Sequence, residues 1–150
     1  MADKVTRAPI QRIERLLFPI VILIGAVMLV KGPIGEAEGR AFPVMGPLTL
    51  HDNPVSEPPP SYRHAWSANA DKLRECQFER VEWFLGPRHG RKIQVPAIFA
   101  DPPEVRGEGH HTWTPLLISL DPGAVLENSH ADVLHQCPGR PWLTRTRFYN

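Results

Sequence analysis

Seven histidines and two cysteines have the widest chemical reach in this 150-residue chain. His110, His111, His130 and His135 fall in a stretch rich in turn residues. Brought together, with Asp132 behind them, their imidazoles would make a nitrogen site of the kind zinc or copper accepts. These four are the candidate metal ligands. Their spacing contains no H-E-x-x-H or H-x-H motif, and exposed loop imidazoles with one hydrogen-bonded strand histidine explain them more simply. No cofactor is therefore expected.

Catalytic spacing is missing in the same way. The chain has no G-x-S-x-G elbow, no phosphate-binding G-x-x-x-x-G-K-[ST] loop and no G-x-G-x-x-G turn. Glu79 and Glu82 flank Arg80 as an exposed strand face does. No catalytic residue is assigned, and the chain is read as a non-enzyme.

Cys76 and Cys137 are the only cysteines. A lone pair in an oxidising compartment is expected to form a disulfide. Closing a loop of that length stabilises a fold by roughly 4 kcal/mol in the chain-entropy model. Buried free thiols, or thiolates in metal or redox service, are the alternatives, although no C-x-x-C is present. Among the four tryptophans, Trp113 and Trp142 are candidate partner anchors. Arg140, Arg145 and Arg147 are candidates to meet an acidic partner or lipid headgroups. For these arginines a solvated edge that resists aggregation is the plainer reading.

The elements that must position these residues begin with Leu16–Val30, LLFPIVILIGAVMLV, fifteen positions without a polar side chain. At roughly 1.5 Å per residue the run covers about 22 Å, less than the roughly 30 Å of a bilayer's hydrocarbon core. Ile13 and Ile34 extend it, and Arg12, Arg15 and Lys31 keep their charges at the headgroups. The segment 16–34 is therefore expected to be a transmembrane signal-anchor with the lipid bilayer as its partner. A cleaved signal ending near Gly35-Glu36-Ala37 is the rival; Lys31 and Pro33 interrupt its cleavage path. Pro19 is expected in the first turn, where its missing N–H matters least.

Lys4, Arg7, Arg12 and Arg15 precede the run, against Lys31 and Arg40 soon after it. The positive-inside rule then keeps residues 1–15 in the cytoplasm and exports the rest. The absence of any N-x-[ST] acceptor favours a bacterial inner membrane, with the C-terminal domain in the periplasm or outside.

Residues 35–64 contain NPVSEPPPSY and are expected to be an extended proline-rich spacer, with Pro47–Leu50 as an alternative edge strand. From residue 65 onward, alternation at Val81–Leu85, Ile93–Phe99, Leu116–Leu120, Val133–Cys137 and Leu143–Tyr149, punctuated by Gly and Pro, predicts an antiparallel β-sandwich. A helical turn is expected at Ser67–Arg74. The two strand cysteines, and the Ala131-Asp132-Val133-Leu134-His135-Gln136-Cys137 lead-in, resemble the immunoglobulin fold in outline. His135 stands where that fold has its corner tyrosine, and Trp83 comes too soon after Cys76 to be its core tryptophan. The resemblance implies architecture in the C-terminal half and no functional residue.

With a net charge of +1 the chain lacks the basic excess of a nucleic-acid binder. The expectation is a membrane-anchored extracytoplasmic interaction module, an accessory subunit of an envelope-associated assembly of the secretion, conjugation or phage-encoded kind, with a protein partner in or at the membrane. The alternative is an exported His-based metal-binding or small hydrolytic domain.

Overall fold

The structure, a computed structural model, describes residues 8–52, 60, 62, 64–87, 89–99 and 106–150; the side chains of residues 8–16, 27 and 28 are outside that description. The Asp101-Pro102-Pro103 turn and most of the NPVSEPPPSY stretch lie outside the described residues.

One helix, α1, runs from Ala8 to Ala41 and contains Pro19 and Pro33. At roughly 1.5 Å per residue it is about 51 Å long, more than a bilayer core requires. Its apolar side chains are open on all sides, with Phe18 at 70% and Leu29 at 79% exposure. It is long and apolar enough to cross a membrane. Two expectations change here. Pro19 lies three turns inside the helix, a position membrane helices tolerate, and residues 35–41, expected to be spacer, continue the helix.

Among the described residues eight strands follow: β1 Thr49–Asp52, β2 His64–Lys72, β3 Gln77–Leu85, β4 Ile93–Val95, β5 Ala97–Phe99, β6 Gly109–Ile118, β7 Ser129–Gln136 and β8 Leu143–Tyr149, with a short helix α2, Pro122–Asn128, before β7. They form two four-stranded sheets, ordered β1-β2-β6-β5 and β4-β3-β7-β8. Every neighbouring pair is antiparallel. The alternating run at Ile93–Phe99 is two strands in two sheets. Its chain changes sheet at Pro96, which has no N–H to give a ladder.

Ser67–Arg74, expected to turn helically, is mostly β2. Trp66, Ala68, Ala70 and Lys72 alternate as its buried positions, and the small alanines hide that period in the sequence. β1 is the edge strand foreseen near Pro47–Leu50, in register with β2 from Thr49↔Asn69 to Asp52↔Trp66.

The core draws on both sheets: Trp66, Ala68, Trp113, Leu116 and Ile118 from the first, and Trp83, Ala131, Val133 and Phe148 from the second, closed by Val125 of α2 and by Met45 and Leu48. Burying each large apolar side chain contributes about 1.5–3 kcal/mol. Trp83 keeps its polar edge satisfied, donating from Nε1 to Ser129 Oγ at 2.9 Å, which in turn donates to Val125 O at 2.6 Å.

Candidate functional site

α1 does not end free in solution. Beyond the apolar run, Gly32, Gly35 and Gly39 fall on one helical face, at spacings of three and four residues. Gly32 is open, and the face lies against β8, the edge of its sheet, at Gly35 and Gly39. A Cβ on Gly35 would come within 2.0 Å of Leu143 O, and one on Gly39 within 1.9 Å of Arg145 O. Only hydrogen fits there. The close approach lets the helix cover an edge that would otherwise invite pairing with another chain.

Between those glycines stands Glu38, the polar centre of the junction. Its Oε2 accepts from Trp142 Nε1 at 2.7 Å and Thr144 Oγ1 at 3.0 Å. Its Oε1 accepts from Arg74 Nη2 at 3.0 Å and Arg140 Nε at 3.2 Å. Four donors from the β domain thus converge on one carboxylate whose side chain is 10% exposed. Hydrogen bonds to a charged acceptor contribute about 1.5–3 kcal/mol each, and removing one partner of such a set leaves the others unmatched. The segment after the helix continues the attachment: Val44 N donates to Thr146 Oγ1 at 3.0 Å, Gly46 N to Asp71 O at 2.8 Å and Leu48 N to Phe148 O. The domain is clamped to the helix end rather than tethered by a leash.

Alongside the clamp, α1 and the outer face of the β3-β7-β8 sheet enclose a groove that holds a second charged network. Asp132 accepts from Arg147 Nε at 2.8 Å and Arg145 Nη1 at 3.1 Å; Arg145 also reaches Glu82 at 2.8 Å, and Glu82 accepts from Arg80 Nε at 2.8 Å. Burial raises the Asp132 pKa, but hydrogen bonds and charge from Arg147 and Arg145 outweigh it and hold the carboxyl below its ordinary value.

The residues proposed for partner contact therefore separate. Trp142 and Arg140 are parts of the clamp, with the Arg140 guanidinium 5.8 Å from the Trp142 ring centre. Arg145 and Arg147 are engaged by the carboxylates of Asp132 and Glu82 on the groove side of the sheet. Trp113, expected at the surface, is 4% exposed and belongs to the core, because β6 begins at Gly109 and turns this ring inward against Phe99 at 5.4 Å.

The four histidines divide between the two sheets, two on β6 and two on β7. His110 Nδ1 pairs with Asp71 Oδ1 at 2.8 Å, and His111 Nε2 with Gly107 O at 2.8 Å. His130 stacks on Phe84 at 5.3 Å and bonds Gly86 O through Nδ1 at 3.1 Å; burial, then the Arg147 charge, lower its pKa. His135 is 2% exposed, and its Nδ1 has no hydrogen-bond partner. Desolvation, helped by the Lys72 charge, lowers its pKa to about 4. His111 and His135 do line a common cavity of about 20 Å³, room for roughly one water molecule. Among the described residues no group of three or more His, Cys, Asp or Glu side chains is arranged to hold a metal.

Cys76 and Cys137 lie at disulfide distance, Sγ–Sγ 2.08 Å, just beyond the Gln77↔Gln136 pair. They join neighbouring strands β3 and β7 of one sheet, whereas the immunoglobulin bridge crosses between sheets. Comparison with protein-family models, curated proteins and solved structures finds no match. The residues of the clamp that sequence reading passed over, Gly35, Glu38 and Gly39, carried one usable signal: small residues repeating on one face soon after an apolar run, with an acid, Glu38, on that same face.

Proposed function

We propose that the chain is a non-enzymatic accessory subunit of an envelope-associated assembly, of the secretion, conjugation or phage-encoded kind. In this reading residues 16–34 cross the inner membrane, the N-terminus stays in the cytoplasm, and the two sheets pack as a sandwich in the periplasm. The basic residues before Leu16 support the orientation. The cysteine pair fits an oxidising compartment.

The observation that carries the proposal is the Glu38 clamp with its two close-packed glycines. A domain on a flexible spacer samples many orientations and loses that freedom when it binds. A domain fixed to its membrane helix has one face already turned to its neighbours, so less entropy is lost on assembly. The test is purification of the full chain from its native membrane in mild detergent, together with a periplasm-only reporter fused after Asn150. Active reporter and membrane-protein partners in constant ratio are expected. A cytoplasm-only reporter that is active, or a chain recovered alone under crosslinking, would refute the reading.

A further inference from the structure

The turn between β7 and β8 is not directed away from the helix. Pro141 and Trp142 face Ala26, Val30, Lys31 and Ile34 of α1 across an apolar cleft of about 320 Å³, a size at the lower end of small-molecule pockets. The Trp142 ring reaches the helix where it has no side chain, its Cδ1 lying 3.6 Å from the position a Gly35 Cβ would take. Ala26 and Val30 belong to the uninterrupted apolar run, so one wall of the cleft is the candidate membrane span itself. Lys31 lines the cleft where the apolar run closes, and Arg140, 48% exposed at the side chain, lies 5.8 Å from the centre of the Trp142 ring that forms the opposite wall, with its Nε taken by Glu38.

We propose that this cleft is a phospholipid site. An acyl chain lies between Pro141–Trp142 and the Ala26–Ile34 face, and the headgroup phosphate meets Lys31 and Arg140. Whatever surrounds Ala26 and Val30 in a membrane also fills the cleft, because the two are continuous. An amphipathic indole with one polar edge bonded and its body against hydrocarbon is a side chain suited to the bilayer interface. The β domain then rests directly on the membrane surface, with the β7–β8 turn at headgroup depth. This rests on the membrane-anchor reading above and adds to it the depth of the turn.

The experiment is tryptophan fluorescence of the full chain reconstituted in phosphatidylcholine vesicles, compared with vesicles whose acyl chains carry bromine close to the headgroup. Trp66, Trp83 and Trp113 are buried in the domain core. Only one of four tryptophans touches lipid, so brominated vesicles should remove up to about a quarter of the emission. Trp142→Phe should abolish that loss; Trp113→Phe, which removes a core indole, should leave its absolute size unchanged. Near-UV circular dichroism checks that both variants are folded. Vesicle flotation after alkaline wash separates the two claims. A chain that floats but shows no quenching, or the same quenching in Trp142→Phe, overturns the lipid site while the anchor stands. A chain that does not float overturns both.

Discussion

His135 gives the pH response of this fold a calculable part. The residue is buried on β7, its Nδ1 has no hydrogen-bond partner in the protein, and its pKa falls from 6.5 to about 4 because burial, then the Lys72 charge, disfavours the charged form. Above pH 6.5 the imidazole is neutral in both folded and unfolded chains and adds no pH dependence. Between 6.5 and about 4 the unfolded chain takes up a proton that the folded chain cannot hold, so each pH unit lowers stability by about 1.4 kcal/mol. Below about 4 both states are protonated and the loss levels off at about 3 kcal/mol. Asp132, held low by Arg147 and Arg145, adds a further loss as pH falls through its folded value, but this is common to wild type and variant. The perturbation is His135→Leu, close in size and without a polar atom to leave unmatched. Urea unfolding of the full chain in detergent, followed at several pH values between 7 and 4, measures both proteins. The variant should equal or exceed the wild type below pH 5 and should lose about 3 kcal/mol less over the acid range. Parallel stability curves would refute the burial of a neutral imidazole.

Three further outcomes follow from the junction and the bridge. Gly39→Val places carbon where Arg145 O already stands and should cost about 1–3 kcal/mol of overpacking; limited proteolysis should then cut near Phe42, and an unchanged pattern would count against the close approach. Glu38→Gln removes the charge on which four donors converge and should lower the unfolding free energy by about 3 kcal/mol, with Glu38→Asp recovering part of it; a neutral effect in urea melts would contradict the clamp. Replacing Cys76 and Cys137 together with Ala should cost about 2–5 kcal/mol, and mass spectrometry of the non-reduced chain should find the two joined; free thiols after export would refute the bond.

The sequence by itself determined what depends on local composition. Leu16–Val30 has no polar side chain to turn towards a protein or water, so its chemistry alone marks a candidate membrane span. The period-2 runs in β3, β7 and β8 announce strands because alternate side chains must face opposite sides of a sheet. The lone cysteine pair was legible for the same reason: there is only one way to join two. Tertiary structure decided everything that depends on which strand lies beside which. Trp113 is a core residue because β6 starts at Gly109 and pairs with β2, and no local pattern fixes that register. His110 and His130 are kept apart because β6 and β7 belong to different sheets. Arg145 and Arg147 look like a basic edge until pairing of Asp132 with Arg147 and of Glu82 with Asp132 sets carboxylates beside them. The junction is the clearest case. Gly35, Glu38 and Gly39 lie about a hundred residues from Thr144, and their meaning appears only once β8 is laid along the helix, where backbone contact requires glycine and four converging donors require an acid.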